Sequence, residues 1–105
     1  MKRYKLRLSP DIAAAIDAQV VWIARESIDR ALGWERRLSK AIDGARTWPG
    51  THPIDNAASA RIGRLAHKLV FERNYLIFYA IDESTTAIEL VGFRHVAKQP
   101  GPKEP

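Results

Sequence analysis

One stretch constrains the fold more than any other. "YLIFYAI", Tyr75 to Ile81, is an apolar run held between two polar clusters, Glu72-Arg73-Asn74 and Asp82-Glu83-Ser84-Thr85. A short apolar run between turn signals reads as a strand covered on both faces, which places it centrally in a sheet. Its flanks are strand-like too. "RLAHKLVFE" alternates Leu65, His67, Leu69 and Phe71 against Arg64, Ala66, Lys68 and Val70. "TAIELVGFRHV" returns as a last strand, with Ile88 and Leu90 on one face and Val91, Phe93 and His95 on the other. Three strands joined by short polar turns predict an antiparallel meander.

The N-terminal half has a different period. "YKLRLS", Tyr4 to Ser9, alternates Tyr4, Leu6 and Leu8 with Lys5 and Arg7, a strand with one apolar and one cationic face. Ser9-Pro10-Asp11 is a helix start: an N-cap, a proline where its missing N–H costs nothing, and an acid near the positive end of the dipole. Ile12, Ile16, Val20 and Ile23 then recur at helical steps, predicting a helix from Pro10 to Arg25. Ser27 or Asp29 caps a second helix, with one stripe of Ile28, Leu32, Leu38, Ile42 and Ala45, widened by Trp34, Ala41 and Trp48. The short link predicts a helical hairpin. Pro49-Gly50 ends it, and Pro49 to Gly63 reads as a long surface connection with one helical turn at "NAASAR". The expected fold is α+β, in the order β-α-α-β-β-β, with an N-terminal helical hairpin packed on one face of a small antiparallel sheet. Residues 1–98 form a single domain and 99–105 a polar, flexible tail.

A chain of 105 residues supports one modest core. With no cysteine it has no disulfide and no thiolate metal site. No apolar run reaches the roughly 18 residues that span a bilayer, and the charged start has no apolar segment after it, so the cytoplasm is the expected location. The net charge of +5 points to an anionic partner, either nucleic acid or an acidic protein segment. Lys2, Arg3, Lys5 and Arg7 stand without an acid, whereas Asp11 to Asp55 is close to neutral. The excess therefore lies on the strands and the tail.

Three histidines are the side chains that titrate near neutrality. His52, between Thr51 and Pro53, reads as a solvated loop residue. His67 and His95 fall on strands of one meander. Each reads either as a packed or strand-end residue, or, beside Arg64 or Arg94, as base and acid for attack by an RNA 2'-hydroxyl. No HExxH, carboxylate cluster or Gly-rich phosphate loop is present, so neither a metal nor a cofactor is expected. Trp22, Trp34 and Trp48 read as packing residues, and any exposed one marks a protein interface.

Four stretches in order resemble the RelE/ParE superfamily of bacterial toxins from type II toxin-antitoxin systems. They are "YKLRLSPDIAAAID", the hairpin "VVWIARESIDRALGWERRLSKAIDGARTWPG", the central strand "NYLIFYAID" and the last strand "IELVGFRHV". The resemblance implies a cognate antitoxin from an adjacent gene, ParD-like, that wraps the toxin in a hetero-oligomer. RelE-type members cleave ribosome-bound mRNA with basic residues on the second strand, an arginine after the aromatic of the central strand, another at the end of the last strand and a C-terminal tyrosine. Lys68 and Arg94 match the first and third roles, but Leu76 stands where the central arginine belongs and no tyrosine follows Arg94. A YafQ-type endoribonuclease relies on histidines, and Arg64, His67 and His95 resemble that pattern, with a longer stretch between His67 and Tyr75. ParE-type members poison DNA gyrase by binding, and "VGFRHVAKQP" fits their last strand best. The expected function is a ParE-like gyrase poison, with Arg94, His95 and Lys98 as target contacts. The mRNA endoribonuclease with His67, His95, Arg94 and Arg64 is the alternative.

Overall fold

The computed structural model describes residues 3–97. Its elements are β1 (Lys5–Leu8), α1 (Pro10–Ala24), α2 (Ile28–Thr47), a single 3-10 turn at Pro49–Thr51, α3 (Asn56–Ile62), β2 (His67–Phe71), β3 (Tyr75–Asp82) and β4 (Ala87–His95). Each helix starts where a side-chain oxygen satisfies an orphan backbone donor. Ser9 Oγ accepts from the Ile12 N–H at 3.2 Å, and Ser27, not Asp29, accepts from the Arg30 N–H at 3.1 Å. Asp55 Oδ1 accepts from the Ala58 N–H at 2.8 Å, and α3 ends on Gly63, whose left-handed φ of 74° suits a residue without a Cβ.

The α+β class and the order of elements are as expected, with the helical hairpin on one face of a four-stranded sheet. The strands lie in the order β1-β4-β3-β2, so the apolar run is an interior strand. β2, β3 and β4 pair antiparallel through their short turns. β1 joins β4 in parallel, making the sheet mixed. No short turn links β1 to its neighbour, so nothing local dictates its direction.

Pairing sorts the side chains into two faces. On the inner face Trp34, Leu38, Ile42 and Ala45 of α2 meet Leu69, Phe71, Tyr75, Ile77, Tyr79, Ile88 and Leu90, with Ile12, Ile16, Val20 and Ile23 of α1 packed at the side. The Trp34 ring stands edge-on to Phe71, Tyr75 and Phe93, at centroid distances of 5.8, 5.3 and 6.1 Å. On the outer face α3 lays Ala58 and Ile62 over Ala66, Leu76, Phe78 and Val91. The register shifts there: Phe78 pairs with Gly92 and Tyr79 with Leu90, leaving Val91 as an extra residue in a bulge.

Two details depart from the pattern. The buried line of α2 runs through Ala31, Trp34, Leu38, Ile42 and Ala45, so Ile28 and Leu32 are 68% and 50% exposed. Among the tryptophans Trp34 alone enters the core, while Trp22 and Trp48 are about equally open at 61% and 60%. The indole that docks on the sheet sets the rotation of α2, and the flank holding Ile28 and Leu32 turns outward with it.

Trp34 and Thr86 give two stability tests. Trp34→Ala is expected to cost about 3–5 kcal/mol in a urea unfolding titration. Trp34→Phe costs less than half as much, because it keeps most of the ring and removes an Nε1–H that is buried without a hydrogen-bond partner among the described residues. Thr86 holds a φ of 51°, a left-handed conformation that a β-branched residue adopts only under strain. Thr86→Gly is expected to raise stability by about 1 kcal/mol, since the Lys5 N–H to Thr86 carbonyl bond is a backbone contact and survives.

Candidate functional site

Period-2 alternation divides the candidate residues between the two faces. His67 pairs with Tyr79, so it lies on the inner face, and its ring stacks on the Tyr79 ring at 5.2 Å and 12°. Its Nδ1 lies 2.7 Å from the His52 carbonyl oxygen, a contact that places the proton on Nδ1 as donor. His95 pairs with Tyr75 and meets it edge-on at 5.4 Å, also on the inner side but at the exposed end of the sheet. Its Nδ1 accepts from the Ala97 N–H at 3.1 Å. Four residues along β3 and two strand spacings separate the histidines, roughly 16 Å by strand rise and spacing. They share a face without meeting, and Tyr75, Ile77 and Tyr79 fill the ground between.

The arginines are elsewhere. Arg94 pairs with Leu76 on the outer face, with its guanidinium 5.6 Å from the Phe78 ring centroid. Arg64 reaches the same face, donating to Glu89 at 2.8 Å. Arg94 and His95, adjacent in sequence, therefore point to opposite sides of the sheet. Lys98 lies outside the described residues.

The outer face gathers the positions matched to the mRNA-cleaving type. Val70, Leu76 and Arg94 form one cross-strand row, and Lys68 and Phe78 belong to the next. Leu76 thus occupies the middle of the face between Val70 and Arg94. Carboxylates answer the cations around it: Arg7 to Asp82 at 2.9 Å, Arg64 to Glu89 at 2.8 Å and Lys68 to Asp55 at 3.5 Å. The Ser84 hydroxyl, Arg7 and the Thr85 hydroxyl and backbone hold the Asp82 carboxyl far below the usual carboxylate range. The Ala58 N–H at the α3 cap does most to lower Asp55, with Lys68 adding to it. A phosphate on this face would have to displace these carboxylates and would meet a leucine at the centre.

Sequence reasoning missed both the acids that neutralise this face and Val70, which is 54% exposed beside Leu76. Alternation put Val70 and Lys68 on one side of β2. Only the register shows which residues of β3 and β4 lie across from them.

A second group gathers at the other end of β2. The Tyr79 hydroxyl donates to the Pro49 carbonyl, and His52 meets the Tyr79 ring edge-on at 6.1 Å. The Lys68 N–H donates to Pro53 O and the Asp55 N–H to Ala66 O, both at 2.8 Å, so residues 49–55 are strapped along the outer edge of β2. His52 is therefore half-buried and not a solvated loop residue. Burial first, then the neighbouring His67, lowers its pKa. Burial raises the Tyr79 hydroxyl to about 12, against the pull of a backbone hydrogen bond from His52.

Among the described residues no group of His, Asp or Glu could hold a metal ion, and no helix is long and apolar enough to cross a membrane. The chain matches no protein-family model, and no curated protein aligns with it significantly.

The strap has a defined pH response. The folded pKa of His52 lies below its unfolded value, so below about pH 6.5 the unfolded chain binds more protons and stability falls. That contribution is complete above the unfolded pKa and is lost as pH falls through the folded one. Urea titrations at pH 7.5 and 5.5 are expected to show a smaller acid loss for His52→Asn than for the wild type. Equal losses would remove His52 as a source of acid sensitivity.

Proposed function

We propose that this chain is a ParE-like toxin of a type II toxin-antitoxin system, acting in the cytoplasm by binding DNA gyrase. The observation that carries the reading is the division of the candidate catalytic groups: His67 and His95 on the inner face and apart, Arg64 and Arg94 on the outer face. General acid–base cleavage needs its proton donor, acceptor and charge stabiliser within hydrogen-bond reach of one phosphate. The order of elements and the last strand ending in Arg94-His95 add the resemblance to the superfamily.

A cognate ParD-like antitoxin fits the same reading. Val21, Trp22, Ile28 and Leu32 stand exposed near the tip of the helical hairpin. Beside them a groove of about 450 Å³ is lined by Trp22, Trp34, Arg30, Arg37 and Tyr75 among others. Asp29 and Glu72 line the groove with the two arginines, which pair with Glu26 and Glu72, so its clustered apolar side chains suit the apolar face of an amphipathic segment. The adjacent gene is expected to encode a short protein with such a C-terminal segment.

The mRNA endoribonuclease is the competing reading, and one experiment separates the two. The purified protein is expected to inhibit gyrase in a supercoiling assay. Cellular toxicity should persist in the doubly substituted His67→Gln, His95→Gln chain, whose side chains still form hydrogen bonds. Cleavage of mRNA in a translating extract that disappears in the double variant would instead establish the enzyme.

A further inference from the structure

We infer that residues 49–63, the strap and α3, open as one unit while the sheet beneath them stays folded, and that a proton on His52 is the trigger. Nothing in this device depends on the target proposed above.

The segment is fastened at few points, and those points are linked. The Tyr79 hydroxyl donates to the Pro49 carbonyl and accepts from the His52 N–H, while His67 Nδ1 donates to the His52 carbonyl at 2.7 Å. Two backbone bonds of 2.8 Å follow, Lys68 N–H to Pro53 O and Asp55 N–H to Ala66 O. α3 hangs on the same attachments. Asp55 Oδ1 caps it through the Ala58 N–H at 2.8 Å, and Ser59 Oγ accepts from the Ala66 N–H at 2.8 Å while donating to the Asp55 carbonyl at 2.7 Å. Seven residues make a helix too short to persist without such support, so losing the strap frees α3 with it.

The limits of the unit are set on both sides. α2 ends before it at Thr47, and after it the left-handed Gly63 and the Arg64–Glu89 pair at 2.8 Å hold the chain to β4. The sheet beneath is held by other bonds: β3 is paired along both edges, and none of that pairing involves the strap. A peripheral segment with its own small set of contacts opens below the cost of global unfolding.

His52 sits in the middle of the fastening. Its ring is half-buried and perpendicular to Tyr79 at 6.1 Å, with His67 stacked on that same ring at 5.2 Å. Among the described residues no carboxylate pairs with either imidazole. A proton on His52 therefore adds a charge that is partly out of water, beside a second histidine and without a counter-ion, whereas the opened segment solvates it. Burial first and then His67 hold the folded pKa below 6.5, so opening takes up a proton and is favoured as pH falls through that value. The groups around it do not act in this window. Tyr79 keeps its proton to about pH 12, and His67 offers Nδ1–H to the His52 carbonyl in either protonation state. Asp55, lowered by the Ala58 N–H and then by Lys68, stays ionised until pH falls below the ordinary carboxylate value of about 4. Opening uncovers Ala66, Leu76, Phe78 and Val91 and frees the outward Lys68 N–H, so acid turns a covered sheet edge into an open one.

The test is amide hydrogen exchange of the full chain at pH 7.5, 6 and 5, corrected for the intrinsic rate at each pH, for the wild type, His52→Asn and Tyr79→Phe. Circular dichroism and a melt confirm that each variant is folded. In the wild type the opening constants at Asp55, Lys68, Ser59 and Gly63 are expected to rise together below about pH 6.5, by at most tenfold per pH unit, the limit for one proton. The β3–β4 amides are expected to open more rarely and without that dependence. His52→Asn should flatten the rise. Tyr79→Phe, which loses the bond to Pro49 and keeps the imidazole, should raise opening about fivefold at every pH and retain the slope. A strap that opens only together with the β3–β4 ladder overturns the separate unit. Opening that does not change with pH, or that changes as much in His52→Asn as in the wild type, overturns His52 as its trigger.

Discussion

The indole of Trp34 fixes more of this molecule than any other side chain. It is the point where α2 enters the sheet, edge-on to Phe71, Tyr75 and Phe93 from three different strands. Because side chains alternate along a strand, placing those three rings inward turns Val70, Leu76 and Arg94 outward. The aromatic cluster therefore decides what the opposite surface displays. The same contact sets the rotation of α2, which leaves Ile28 and Leu32 outside.

The outer face follows from that decision. Its cations arrive on β1, on β2, on β4 and before β2, and each of three carboxylates from other elements meets one of them. Exposed ion pairs of this kind add little stability, on the order of 0–1 kcal/mol each. Their larger effect is on recognition. With three of its cations met by carboxylates and aliphatic carbon at its middle, the face offers a plain polyanion little.

The strap of residues 49–55 ties the two faces together. Tyr79 and His67, both inner-face residues, hold the Pro49 and His52 carbonyls, while Asp55 at the far end caps α3 on the outer face. The long connection is therefore ordered by the sheet it crosses, and it closes half of the β2 edge. Its one titrating imidazole of lowered pKa sits where the strap touches β3 through Tyr79.

The sequence by itself determined the elements. Ser9-Pro10 and Pro49-Gly50 set helix ends, the apolar run set the interior strand, and polar turns set the meander, because capping and alternation are local and need no partner in space. Even the short α3 showed in "NAASAR". The tertiary structure alone decided the rest. The parallel entry of β1, the outward flank of α2 and the covering of the second apolar face of β3 by α3 depend on contacts between residues far apart in the chain. So does the site: Arg94 and His95 read as a pair, and strand alternation separates them, while Lys68, Val70, Leu76 and Arg94 share a face only through cross-strand register. That register is fixed by aromatic packing on the opposite side of the sheet, which no local pattern encodes.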